Sequence, residues 1–323
     1  MSPGLSILTR LLRVARTLSI VLLAILGIGL ATVLLAFPRS RPASPETVDL
    51  TPVRLERGRY LVEHVANCLD CHSRRDWGYY GGPVAPGTEG QGAPLEVLRP
   101  QIESANITPA ALAEWSDGEI ARAITSGIGR DGRALHPFMP YDTYARMVED
   151  DVWAVVAYLR TLPPIENSPL RPRDGWPIRL IGRLLPRPYE PPDPVDRNDP
   201  VAYGRYLAGI AECSFCHGSD YSGGRLYRIP GTDQEWPAEN ITPHPSNRVG
   251  AWSRENFIGV FKSFAPPEGS RIPADEINTV MPWSRFAGMT EEDLGAIYEY
   301  LRTVPAVEQL RPQQQAPPRD TGS

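Results

Sequence analysis

All four cysteines of this 323-residue chain fall in two Cys-x-x-Cys-His motifs, CLDCH at Cys68 to His72 and CSFCH at Cys213 to His217. Residues i and i+3 share one face of a helical turn. Both thiols of a motif can therefore reach the two vinyl groups on one edge of a porphyrin, and the histidine that follows comes up beneath the iron. This is the attachment signature of c-type haem. The sequence predicts two covalent haem c groups, held by Cys68, Cys71, Cys213 and Cys216, with His72 and His217 as iron ligands. Other cysteine chemistries fit poorly. Disulfides within such short motifs would staple almost nothing. Zinc sites pair Cys-x-x-Cys units roughly 15 to 20 residues apart, whereas 142 positions separate Cys71 from Cys213, and the βαβ context of a thioredoxin-like dithiol is missing.

A proximal histidine leaves one axial position on each iron. Methionine there raises the reduction potential and fills the site, which suits electron transfer over catalysis. Met139 and Met281 are expected in that role: each precedes a proline, which favours an extended loop, and they lie 67 and 64 residues past their histidines. Met147 and Met289 recur as well, just before a closing helix, where a thioether more often fills a gap in the core. His64, His136 and His244 have no repeat partners and read as surface or supporting residues. Asn106, Thr108, Asn240 and Thr242 could donate hydrogen bonds near a haem or serve as turn formers. Arg130 and Arg133 could neutralise a propionate or sit in a solvated loop.

The segments around these motifs repeat in order. GRYL at Gly58 recurs at Gly204, NITP at Asn106 recurs at Asn240, Trp115-Ser116 matches Trp252-Ser253, and YLRTLPP at Tyr158 matches YLRTVPA at Tyr300, with offsets between 134 and 146 residues. Two copies of one domain follow, residues 50–165 and 200–307. Each reads as helical: an opening helix over 54–67 and 202–212, a middle helix capped at Ser116 and Ser253, and a closing helix over 149–162 and 291–303. Gly58 and Gly204 would let Tyr158 or Tyr300 approach where opening and closing helices cross. Residues 163–200 hold eleven prolines, and the linker 166–199 is expected to be extended and stiff. Within it Ile178, Leu180, Ile181, Leu184 and Leu185 alternate with Arg179 and Arg183, a pattern suited to covering a domain seam and also to lying on a membrane surface. The first of these is favoured. The last segment, 308–323, reads as a disordered tail.

Residues 18–37 are an uncharged run of twenty, enough at about 1.5 Å per residue to cross a hydrocarbon core of roughly 30 Å. Arg10, Arg13 and Arg16 precede it, so the positive-inside rule puts residues 1–17 in the cytoplasm and everything past the anchor outside. A cleaved signal peptide is the alternative, but its apolar core is usually about 7 to 15 residues and ends in a small-residue cleavage site, whereas this run ends in Phe37, Pro38 and Arg39. The fold class is all-α, an N-terminal transmembrane helix followed by two tandem cytochrome c-type domains. The net charge of −5 becomes about −8 without the three N-terminal arginines, which argues against a nucleic-acid partner. Lys262 is the single lysine, so a docking ring of lysines is excluded.

From Arg57 to Pro305 the chain resembles the multi-haem cytochrome c subunits of membrane-bound alcohol, aldehyde and sugar-acid dehydrogenases. The likeness rests on GRYL, CLDCH, NITP, WSDGEI, GRDGRALHPFMPYDTY and DDVWAVVAYLRTLPP in the first half, shorter matches in the second, and the Trp176 to Leu185 core of the linker. It implies His/Met haems, here His72 with Met139 and His217 with Met281. It also implies an electron-donor dehydrogenase and an electron-acceptor oxidase or cytochrome as partners; with the run 18–37, the chain is expected to cross a bacterial inner membrane once, with its haem domains on the periplasmic face. Such subunits typically carry three haem motifs and attach to the membrane by other means; this chain has two motifs and an N-terminal apolar helix. Its second half also replaces the Asp-Gly-Arg stretch with residues 265–280. The function expected is electron relay without substrate chemistry. A dihaem peroxidase is the enzyme alternative, disfavoured because Met-Pro recurs in both halves, and a sulfur-oxidising cytochrome with a cysteine ligand would need a fifth cysteine.

Overall fold

The computed structural model describes residues 3–66, 68–95, 102–169, 175–232, 235–265 and 278–308, with backbone alone for residues 3–9. The expected tail lies outside these residues from 309 onward, as does most of the replacement loop 265–280. Helix α1 runs over Pro3–Ala36. Its stretch Arg10–Ala36 is long and apolar enough to cross a membrane, and none of that stretch is buried against the protein. The helix begins well before the apolar run because Leu11, Leu12 and Val14 alternate with the arginines and nothing breaks the pattern.

The first half opens with α2, Pro52–Tyr60, capped by the Thr51 hydroxyl and started by a proline at its first turn. It passes into a π-helical turn, Leu61–Val65, that delivers the chain to α3, Cys68–His72. Short α4, Pro109–Leu112, precedes α5, Asp117–Ser126, whose Ser116–Glu119 capping box forms as expected. Then come α6, Tyr141–Tyr144, and α7, Glu149–Leu159, with three acids in its first turn, where the helix dipole favours them. The linker holds α8, Trp176–Gly182. The second half repeats the order: α9, Pro200–Ile210; α10, Cys213–His217; α11, Arg248–Ala251; α12, Arg254–Lys262, capped by Ser253; α13, Trp283–Phe286; and α14, Glu291–Leu301, capped by Thr290.

The described residues also include a small sheet that departs from an all-helical chain. Strands β1, Leu226–Arg228, and β2, Glu235–Pro237, form a small antiparallel hairpin with Tyr227 opposite Trp236. Three-residue strands are too short to register as two-residue alternation.

Opening and closing helices cross in both halves, α2 on α7 and α9 on α14. The glycine expectation is refined here. A Cβ on Gly58 would fall on the Ala154 carbonyl oxygen and crowd Tyr158 Cβ, and one on Gly204 would fall on the Ala296 carbonyl. Backbone approach, more than the aromatic rings, demands glycine. Gly58→Ala or Gly204→Ala should each cost about 1 to 3 kcal/mol of overpacking, read as a lower denaturation midpoint. Gly209→Ala, where an added Cβ meets nothing within 4 Å, should cost nothing.

The buried apolar residues of both halves run into one continuous cluster, from Leu61 and Val156 to Leu207 and Leu301. Reciprocal polar contacts join the halves. Tyr60 of the first GRYL donates to Asp293 at the start of α14 (2.6 Å), and Tyr206 of the second donates to Asp151 at the start of α7 (2.5 Å). Burial first, and then each aspartate's charge, raises both tyrosine pKa values, so both remain donors. The linker helix corrects the favoured reading. Its apolar side chains do not cover a seam: Trp176, Ile178 and Ile181 are exposed.

Candidate haem sites

In each half the cysteine motif forms a single helical turn, as its spacing requires. His72 Nδ1 lies 2.7 Å from the Ala105 carbonyl, and His217 Nδ1 lies 2.7 Å from the Glu239 carbonyl. These carbonyls belong to the residues just before Asn106 and Asn240 of the two NITP segments. A protonated Nδ1 donating to that oxygen fixes ring and tautomer and leaves Nε2 as the free donor atom for a metal. Burial lowers the pKa of both histidines, which keeps them neutral.

The NITP residues hold that carbonyl in place. Asn106 Oδ1 accepts from the Thr108 backbone N–H and hydroxyl, while Asn106 Nδ2 donates to the Ile165 carbonyl. The second half repeats the set with Asn240, Thr242 and Val307. Asn106, Thr108, Asn240 and Thr242 are all buried. They tie the histidine-supporting strand to the chain leaving the closing helix, and they do not donate into the site. Sequence reasoning did not assign Ala105 and Glu239. Their contribution is a backbone oxygen, and the only trace of it is their place directly before a repeated Asn.

Both Met-Pro segments adopt one conformation. Pro140 has φ −82°, ψ 53° and Pro282 has φ −81°, ψ 65°, while the Tyr141 and Trp283 N–H groups donate to the Met139 and Met281 carbonyls, each at 2.9 Å. This is an inverse γ-turn, and it leads into α6 and α13. Met139 and Met281 are partly buried beside the core. Met147 and Met289 are fully buried within it.

The two cysteine turns are near one another. Phe138, next to Met139, meets Phe215 of the second motif edge-to-face with ring centroids 6.0 Å apart. Arg285, four residues past Met281, pairs with Asp70 of the first motif at 2.6 Å. Each methionine loop thus touches the other half's cysteine turn. Burial pushes the Cys68 and Cys71 thiols up to about 12; the charge of Glu212, which precedes Cys213, adds to the rise in both, and Arg285 opposes it. Burial likewise pushes Cys213 up to about 12 and raises Cys216.

The remaining candidates fall elsewhere. His64 Nδ1 lies 3.3 Å from the Arg285 carbonyl, at the seam between halves. His136 Nδ1 accepts from the Phe138 N–H, and His244 Nδ1 lies 2.7 Å from the Ser246 hydroxyl. Arg130 faces Glu114 and, at the start of α5, Glu119, while Arg133 pairs with Asp131 in an exposed loop. Residues present do fit a haem. Trp77 Nε1, Trp236 Nε1 and Tyr141 OH are buried without hydrogen-bond partners, and buried donors of this kind call for an acceptor such as a propionate.

Residues 55–163 match the cytochrome c family model. This part of the chain is a cytochrome c domain. The wider chain is similar to the cytochrome c subunit of a quinone alcohol dehydrogenase from Gluconacetobacter polyoxogenes, 28% identical over 295 aligned positions that cover 82% of this chain and 59% of that one. It is also similar to the fructose dehydrogenase cytochrome subunit of Gluconobacter japonicus, 28% identical over 83% of this chain and 56% of that one. A diheme cytochrome c-type protein of Cereibacter sphaeroides is 35% identical over 36% of this chain. The resemblance read from the motifs holds, and the chain spans a little under three fifths of the length of these dehydrogenase subunits.

Proposed function

We propose that this protein is a membrane-anchored dihaem c-type cytochrome that relays electrons from a periplasmic or membrane dehydrogenase to a downstream respiratory oxidase or cytochrome. The observation that carries the reading is duplication of the histidine support: two cysteine turns, each with its histidine Nδ1 at 2.7 Å from the carbonyl before NITP. Haem supplies one-electron exchange between ferrous and ferric iron. Cys68 and Cys71 would hold one group and Cys213 and Cys216 the other, with His72 and Met139, and His217 and Met281, as axial ligands. The chain's own part is to hold each imidazole in one tautomer and to present each thioether from a fixed turn, so that little rearranges when charge changes. Contacts Phe138 with Phe215 and Arg285 with Asp70 keep the sites adjacent.

The anchor reading rests on α1, with residues 38–323 on the periplasmic side of a bacterial inner membrane. The dehydrogenase partner is supported by what the relatives above are. The test is mass and extraction. Matured protein should weigh two haems more than its polypeptide, with both resisting acid acetone. Cys71→Ser and Cys216→Ser should each weaken attachment at one site only. Correctly matured protein carrying one haem or none overturns the reading.

A further inference from the structure

The linker helix α8 exposes what a soluble connector hides. Trp176 is 74% exposed, Ile178 47% and Ile181 57%, with Leu184 and Leu185 at 42% and 44% just beyond its end. Scattered apolar surface residues are ordinary, but five within one ten-residue stretch are a concentration of the kind that marks an interaction surface. The polar residues beside them are Arg179, Arg183 and Arg187, with no acid between 175 and 187, in a chain whose net charge is −5.

What covers the patch follows from where it is fastened. Arg183 Nη2 donates to the Leu34 carbonyl at 2.8 Å and also to the Phe37 carbonyl. Leu34 is in the last turn of α1, where carbonyls lack helical partners and a cation is favoured. The end of α8 is therefore held at the level where the apolar span of α1 stops. Seven residues of helix rise about 10 Å, so every exposed apolar side chain of α8 stays within about that distance of this level, the depth at which interfacial helices bury their apolar faces. Tryptophan is enriched at such boundaries, and interfacial helices carry arginine on their polar face.

We infer that residues 175–187 lie on the phospholipid surface at the point where α1 leaves the bilayer, as a second lipid contact. This rests on the reading of α1 as a membrane span. Two contacts fix orientation where a single helix would permit rotation. A Cβ added to the buried Gly182 would meet Pro137, two residues before Met139, at 3.6 Å, so the Met139 loop runs beside this contact and close to the membrane.

The test uses full-length, haem-loaded protein in vesicles of phosphatidylethanolamine and phosphatidylglycerol. With its native cysteines bound to haem, Ile181→Cys supplies a single thiol for a benzophenone maleimide. Photolysis should add the mass of a phospholipid to the labelled peptide of this variant and not to that of Asp193→Cys. Adding Trp176→Glu and Ile178→Glu to Ile181→Cys should remove most of its lipid adduct. Leu26→Cys reports on α1 independently. A lipid adduct in Leu26→Cys with none in Ile181→Cys overturns the second contact and leaves the anchor standing. An adduct in Ile181→Cys with none in Leu26→Cys refutes the span and with it the placement of residues 175–187 where α1 leaves the bilayer. Crosslinking of Ile181→Cys to another polypeptide in place of lipid would assign the patch to a protein partner and overturn the inference.

Discussion

Met139→Ala and Met281→Ala will each open one iron of the ferrous protein to carbon monoxide and lower the reduction potential of that site, leaving the other site as it was. The two residues precede prolines in matching inverse γ-turns, with the following N–H returning to the methionine carbonyl at 2.9 Å in both halves. That constraint presents the side chain from one fixed direction, and neither residue is absorbed into the core. The rival methionines are: Met147 is 1% exposed and Met289 0%. Removing their side chains should leave carbon monoxide binding unchanged and cost about 2 to 5 kcal/mol of stability through the cavity left behind. Thioether ligation raises the potential relative to other axial ligands, so the alanine variants shift downward. Carbon monoxide difference spectra, the near-infrared thioether-to-iron band and a potentiometric titration check these outcomes. A bis-histidine spectrum in the unmodified protein, or rapid peroxide turnover, would transfer the distal role to His64, His136 or His244.

The parts of the site that were legible in the sequence are those in which a side chain acts within a few residues of a recognisable neighbour. The cysteine turns and the Ser116 and Ser253 caps depend on local spacing, and local spacing is what a linear pattern records. The Ala105 and Glu239 carbonyls escaped because any residue offers the same oxygen. The partners of Tyr60 and Tyr206 escaped for a different reason. GRYL recurs visibly, but its hydroxyls reach the opposite half, 233 positions away for Tyr60 and 55 back for Tyr206, and a repeat does not say how its copies dock. The linker helix was misjudged because apolar and arginine residues alternate in the same way whether the apolar side meets protein or lipid. Only its exposure, with Arg183 reaching the end of α1, separates those cases.

Arg285→Met should be among the most damaging single substitutions outside the haem ligands, at about 3 to 5 kcal/mol. Asp70 lies between Cys68 and Cys71, and its carboxylate meets Arg285 Nε at 2.6 Å with side-chain exposures of 7% and 5%. The same guanidinium donates through Nη1 to the Val65 carbonyl at 2.8 Å and stacks on the Phe286 ring. Removing it leaves a buried carboxylate and a backbone oxygen without that partner, and the desolvation of the charge is no longer offset. Asp70→Asn combined with Arg285→Met should recover part of the loss, because no buried charge then remains, and a double-mutant cycle measures the coupling. The exposed pair of Arg133 with Asp131, at 60% and 50%, sets the scale for comparison: disrupting it should cost less than about 1 kcal/mol. Tyr206→Phe removes the bond to Asp151 and should cost about 1.5 to 3 kcal/mol, and Tyr60→Phe, which loses both the bond to Asp293 and the one from the Thr290 N–H, at least as much. Denaturant unfolding followed by circular dichroism gives all of these values, and protease cutting within the linker reports separation of the halves. If Arg285→Met unfolds at the same midpoint as the parent and the linker stays resistant, the ion pair does not fasten the second half to the first cysteine turn. The aromatic contact of Phe138 with Phe215 and the shared apolar cluster would then be left to hold the two sites together.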